Sequence, residues 1–218
     1  MDWGFLGGLP EEERRAVHSR MVRRRYRRRE IVFHEGDLGD RLYLVAKGRL
    51  LARVLTSDGD ESALALHGVG DVLGEMIILS GNDRRSATVV ALEPAELMSL
   101  SAADVMELRR EFPSVDTALD QIVAERNRAL LQLLQEARYL PADKRVLRRI
   151  ISLEPYFDAG PTGQVEIRIT QEDLAAMAGT TRPTANRALQ RAEVAGAISI
   201  ARRRLTIVDP ELLARLAK

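Results

Sequence analysis

From about Ile31 to Leu100 the apolar residues come in short runs broken by turn glycines: "REIVFHEGD", then "RLYLVAKGRLLARVLTSDGDESALALHGVGD", then "SATVVALEPAELMSL". Asp58-Gly59, between two such runs, is a hairpin signal, because that dipeptide tolerates the positive φ a tight turn requires. Many short strands at regular spacing predict a β-sandwich or barrel. From about Ser101 to Leu140 the period becomes helical. Val123, Arg126, Leu130, Leu133, Ala137 and Leu140 follow a 3,4 spacing that forms one stripe, as in a coiled-coil seam. After Pro141 the chain is helical again, strand-like at "QVEIRI", and ends in two helices and a short hairpin.

The segment "TQEDLAAMAGTTRPTANRALQRAEVAGAISIARRRLTIVD" carries the most specific pattern. Thr170 is an N-cap candidate with Asp173 three residues on, close to a capping box. Leu174 and Met177 give the helix a packing face, and Gly179 can end it in a left-handed conformation. Thr181 is a second N-cap candidate. Pro183 sits in the first turn, where its missing amide costs little, and Ala185, Ala188 and Leu189 form the next packing face. The other face of this second helix shows Arg182, Thr184, Asn186 and Arg187. "AISIARRRLTIV" reads as two strands around a basic turn, Arg202, Arg203 and Arg204. The whole predicts a winged helix-turn-helix. Arginines on the second helix can read guanine edges with two hydrogen bonds, whereas arginines on a wing hold phosphates.

Charge supports that division of labour only in its distribution. The formal net charge is +1. From Leu140 onward there are 13 Lys+Arg against 9 Asp+Glu, so the C-terminal third is basic and the rest acidic, and double-stranded DNA is its expected partner. With no cysteine, thiolate metal sites, disulfides and a cysteine nucleophile are excluded. His18, His34 and His67 lack ligand spacing, and no metal is expected. No nucleophile, base and orienting group cluster, so no enzyme is expected. The absence of a long apolar run or a secretory leader pattern points to a cytoplasmic protein without a membrane partner.

A second motif lies at "GEMIILSGNDRRSATV", beginning at Gly74: one carboxylate at its start, and an arginine and a serine at its end. A phosphodiester wants a guanidinium, a hydroxyl and amides, and a ribose hydroxyl can donate to a carboxylate. This stretch resembles the phosphate-binding cassette of the cyclic-AMP receptor and FNR (CRP/FNR) family of bacterial transcription regulators. "TQEDLAAMAGTTRPTANRAL" is similar to that family's helix-turn-helix, and "GDLGDRLYLVAKGRL" to its early strands. The resemblance implies an α+β chain: an N-terminal double-stranded β-helix (jelly roll) over residues 1–112 that binds effector, a dimerisation helix over 113–140, and a winged helix-turn-helix over 141–218. It implies a homodimer regulated by a cyclic nucleotide, cyclic AMP or a relative, with no required cofactor and with RNA polymerase as a further partner. It places the ligand on Gly74, Glu75, Met76, Arg85, Ser86 and Ala87, with Glu75 on the ribose, Arg85 and Ser86 on the phosphate, and Arg126 reaching the pocket from the dimer helix. Ligand would bias the junction near Tyr139 to Asp143, and so the spacing of two recognition helices that must match about 34 Å of DNA.

Two departures qualify what the resemblance implies. Leu130 and Leu131 stand where the cyclic-AMP receptor has Thr and Ser for the adenine amino group, so the ligand is cyclic AMP bound with less discrimination, a different cyclic nucleotide or dinucleotide, or none at all. Pro183 replaces a glutamate that would accept from a cytosine, so the DNA motif should differ there. A ligand-independent DNA binder with a relic cassette remains the alternative. The seven arginines between Arg20 and Arg29 read as a solvated face or as a contact to flanking DNA.

Overall fold

The structure, a computed structural model, describes residues 4–55, 61–76, 84–160 and 163–218. The chain forms two compact units, Met1–Val54 with Ala65–Ala129 and Leu55–Leu64 with Leu130–Lys218.

In the first unit a 3-10 turn, Gly4–Gly8, and helix α1, Glu11–Arg20, precede strands β1 (Val22–Tyr26), β2 (Ile31–Phe33), β3 (Arg41–Lys47), β4 (Leu50–Leu55), β5 (Glu61–His67), β6 (Val72–Leu73), β7 (Thr88–Ala91) and β8 (Ala95–Ser101). They make two four-stranded sheets, ordered β1-β8-β3-β6 and β2-β7-β4-β5. The turn at Asp58-Gly59 lies outside the described residues, and the strands it would join, β4 and β5, are neighbours. β3 shows why "RLYLVA" reads as a continuous apolar run: Leu42 and Leu44 enter one core cluster, with Leu100, Val105, Leu108 and Leu119, while Tyr43 and Val45 enter another, with Leu50, Val89 and Leu97. A strand buried on both faces has no polar side to alternate with.

Helix α2, Ala102–Glu111, is capped by Ser101, whose hydroxyl accepts from the Asp104 amide at 3.1 Å. The chain then breaks at Phe112 and restarts as α3, Pro113–Tyr139. The exposed apolar face of α3 differs from the expected stripe. Val123, Leu130, Leu131 and Leu134 are exposed, as is Ala137, whereas Leu133 and Leu140 are partly covered. Leu119 is buried and Ile122 packs on the first core cluster, which fixes the helix rotation. Arg126 shares their side, so the outer seam passes through Asn127 instead. A 3,4 spacing fits two neighbouring stripes equally well, and only packing decides between them.

The second unit holds α4 (Ala142–Leu153), strand β9 (Val165–Ile167), α5 (Gln171–Met177), α6 (Arg182–Val194), β10 (Ile198–Ala201), β11 (Arg204–Ile207) and α7 (Pro210–Leu216). β9 joins the hairpin as a third strand, in the order β10-β11-β9. Val146, Ile150 and Leu153 of α4, Leu174 of α5 and Ala185, Ala188 and Leu189 of α6 are buried. α5 ends as predicted at Gly179, whose φ is 59°, and the Thr180 amide bonds back to the Ala175 carbonyl at 2.9 Å. Thr170 caps α5: its hydroxyl accepts from the Asp173 amide at 3.0 Å and donates to the Asp173 carboxylate at 2.6 Å. Thr181 holds the N-cap position of α6 but makes no side-chain cap bond; its hydroxyl lies 3.2 Å from that of Thr184.

Thr170→Ala should therefore cost about 1 kcal/mol in urea unfolding, whereas Thr181→Ala should stay within about 0.5 kcal/mol of the parent.

Candidate functional site

The cassette bridges the two sheets of the first unit. Gly74 and Glu75 follow β6 in one sheet, and Arg85 precedes β7 in the other. Residues 77–83 lie outside the described residues. The Arg85 backbone is held on the turn after β2: its amide bonds to the Asp37 carbonyl and its carbonyl receives the Gly36 amide, both at 2.9 Å. Its side chain is thereby turned inward and is only 5% exposed.

The guanidinium lies over the Phe33 ring, 4.2 Å from its centroid, with Tyr43 at 5.7 Å, and donates from Nη2 to the Arg41 carbonyl at 2.8 Å. Phe33 and Tyr43 stack at 5.9 Å. Such an aromatic face attracts a cation without satisfying its N–H groups. Gly74 explains how the group fits: φ is +77°, and a Cβ there would stand 2.1 Å from Arg85 Nη1. Burial is the largest influence on Arg85 and pulls its pKa down, which is the mark of a cation short of a counter-ion. Nε and Nη1 are buried and have no hydrogen-bond partner among the described residues.

Opposite in charge, Glu75 is fully buried. Its Oε1 accepts from Arg126 Nη1, and the same guanidinium donates from Nη2 to the Val72 carbonyl. Glu75 Oε2 is buried without a partner among the described residues. A buried cation with two unused donors and a buried carboxylate with an unused acceptor are together complementary to a ligand that carries an anion and a hydroxyl. Of the remaining cassette residues, Ala87 is buried, Ser86 is exposed and Met76 is 45% exposed. Leu130 and Leu131 are 61% and 52% exposed on α3.

The DNA-facing candidates gather on the second unit. Arg182, Pro183 and Arg187 are exposed on α6, and Thr184 and Asn186 partly so, opposite the buried Ala185, Ala188 and Leu189. Arg187 donates to the Thr184 hydroxyl at 3.2 Å. Arg202 and Arg203 form the tip between β10 and β11, where Arg203 adopts a φ of 59°. A cleft of about 360 Å³ is lined by Thr170, Glu172, Arg182 and the three wing arginines. Of these, Arg204 pairs with Glu166 of β9 at 3.3 Å. The Thr170 hydroxyl is committed to its cap, which leaves the threonine little to offer a phosphate.

Sequence reasoning missed Phe33, Tyr43 and the Arg41 carbonyl. Their part depends on two sheets facing each other, and only the aromatics on strands consecutive in sequence hint at it. In the N-terminal arginine run, Arg23 and Arg25 pair with Glu96, and Arg20 with Glu107 and Glu111. Among the described residues no three His, Asp or Glu side chains gather as a metal site, and no helix is long and apolar enough to cross a membrane.

Residues 23–112 match the family model of the cyclic nucleotide-binding domain, and residues 144–216 that of the Crp-like helix-turn-helix domain. The cyclic AMP receptor protein of Thermus thermophilus is 34% identical over 213 residues, covering 98% of this chain and 95% of the relative. The crystal structure of the Thermus thermophilus catabolite activator protein superposes with a TM-score of 0.57 at 33% identity, over 98% of this chain and 97% of the other. FixK2 of Bradyrhizobium japonicum, at 19% identity, shares the fold, with a TM-score of 0.78 over 90% of this chain and 96% of its own. With both of its domains matched and a relative of that identity aligned over nearly its full length, the chain belongs to the CRP/FNR family of transcription regulators.

Proposed function

We propose that the protein is a homodimeric, sequence-specific DNA-binding regulator whose β-sandwich unit takes a cyclic nucleotide. What carries the effector half is the pair of unused groups in the cassette: Arg85 Nε and Nη1 for the cyclic phosphate, and Glu75 Oε2 for the ribose hydroxyl. Gly74 gives the guanidinium its space, Ser86 and the amide of Ala87 complete the phosphate contact, and Arg126 holds the Glu75 carboxylate in place. Met76 and the apolar Leu130 and Leu131 contact the base without hydrogen-bonding it. The exposed seam of Val123, Leu130, Leu134 and Ala137 is the surface for the second copy. Arg182, Pro183, Thr184, Asn186 and Arg187 enter the major groove, with Thr170, Thr181 and Arg202 to Arg204 toward the backbone. RNA polymerase is the partner such a regulator addresses from the cytoplasm, and no catalytic step is involved.

One observation favours the alternative of a ligand-independent DNA binder. Arg126 already satisfies Glu75 Oε1 and the Val72 carbonyl, so the pocket is partly closed upon itself.

Calorimetry separates the two. Wild type should bind a cyclic mononucleotide, and Arg85→Ala should lose a few kcal/mol of that affinity, enough to abolish a micromolar site. Cyclic AMP and cyclic GMP should differ little, and Thr at 130 with Ser at 131 should raise the preference for adenine. No heat for any cyclic mono- or dinucleotide would establish a relic cassette.

On DNA, Arg182→Ala or Arg187→Ala should cost about 1 to 3 kcal/mol at the selected site and relax the choice at one base pair each. Arg203→Ala should weaken specific and random DNA alike. Equal losses for both DNAs with Arg182→Ala would remove it as a base reader.

Leu130→Asp places a charge in the middle of the outer seam. Sedimentation should show wild type as a dimer at micromolar concentration and this variant as a monomer. A monomeric wild type would overturn the two-fold arrangement and the palindromic site with it.

A further inference from the structure

The inward side of α3 carries a second charge, ten residues beyond Arg126. Glu136 is 4% exposed, and its carboxylate is closed in by three donors. Arg148 Nη1 reaches Oε1 at 3.2 Å, Gln132 Nε2 reaches the same oxygen at 3.3 Å, and Arg149 Nη2 donates to Oε2. Both arginines stand on α4. A carboxylate in the last turns of a helix faces the negative end of the helix dipole, and a buried one without partners costs several kcal/mol. Helix preference therefore does not account for Glu136; its bonds to α4 do.

One turn further along α3, a third guanidinium makes the next connection. Arg145 of α4 donates from Nη1 to the carbonyl of Leu140, directly after α3, at 2.9 Å. It also donates from Nε to the Ala178 carbonyl and from Nη2 to the Gly179 carbonyl, each at 2.9 Å. Those two carbonyls form the turn between α5 and α6. All three arms of Arg145 are engaged, so the chain end of α3, the first turn of α4 and the turn that sets the start of the recognition helix share one planar group. Such a planar fork fixes direction as well as distance.

We infer that the segment of α3 from Leu130 onward is mechanically part of the DNA-reading unit, and that Glu136 is a positioning residue which fixes the direction of the recognition helix relative to α3. A rotation of these last turns is then a rotation of α6. The junction at Tyr139 to Asp143, where ligand is expected to act, lies inside the braced region. This inference rests on the dimeric DNA-binding proposal only for its consequence: two recognition helices keep a fixed separation because each is braced to its own copy of α3. A charged cluster suits the task because it tolerates few arrangements, whereas apolar contacts slide.

The test uses the full chain and Glu136→Gln, with a palindromic DNA selected from a random pool by wild type and the corresponding half-site. Glu136→Gln should bind the half-site as wild type does, since α6 and the wing are untouched. Its advantage on the full site over the half-site should fall by about tenfold or more, because linked binding requires the two readers at matching distance. An unchanged full-site advantage would overturn the inference. Hydrogen exchange on wild type tests the brace without DNA: amides 134–140 should exchange as slowly as those of Val146 to Ile150. Exchange there at the rate of a frayed helix end would equally overturn it. If wild type itself showed no full-site advantage, the two-fold proposal would fail, and hydrogen exchange alone would decide the brace.

Discussion

A charge taken out of water must find a partner or cost several kcal/mol, and α3 answers two such buried charges, Glu75 through its half-exposed Arg126 and its own Glu136 through α4. Arg126 is answered by Glu75 and the Val72 carbonyl, and Glu136 by Arg148 and Arg149. Each requirement fixes the rotation of the helix within its own unit. The side that carries them is turned inward, so the apolar residues left over form the outer seam. The same rotation closes one oxygen of Glu75 and leaves the other bare. Helix rotation, seam and pocket charge thus follow from one constraint on where ions can lie.

The pocket shows the same economy in its cation. Arg85 receives an aromatic face, a carbonyl and room beside a glycine but, among the described residues, no carboxylate at bonding distance. A carboxylate at bonding distance would have neutralised the site and made it inert toward anions. The pairing of Asp40 with Arg41 is instructive beside it: Arg41 holds the Asp40 carboxyl below the ordinary carboxylate range, and that acid is consumed at the rim.

Much of this was legible in the chain itself. Gly179, Thr170 and the tripled arginine of the wing act through neighbours within a few residues, so local chemistry announces them. The cassette ends, Glu75 and Arg85, were legible through resemblance, and their spacing alone would have allowed a surface ion pair. The outer seam was misplaced by one position because Leu133 and Leu134 are equally apolar, and the choice falls to Leu119 and Ile122 packing elsewhere. Phe33 beneath Arg85, and Arg145 on the turn at Gly179, join elements far apart in sequence. No periodicity encodes such meetings; they arise when sheets and helices close on one another.

Pro183 has a consequence for ionic strength. It occupies the first turn of α6, where each residue ordinarily presents a backbone N–H to an approaching phosphate. Proline removes one of those donors, so in the proposed interface the start of this helix grips the DNA backbone less through its peptide groups. In the proposed interface the grip passes to side-chain cations such as Arg202 and Arg203, which displace condensed counter-ions when they bind, as neutral amides do not. Association with DNA is accordingly tied more closely to the salt of its surroundings.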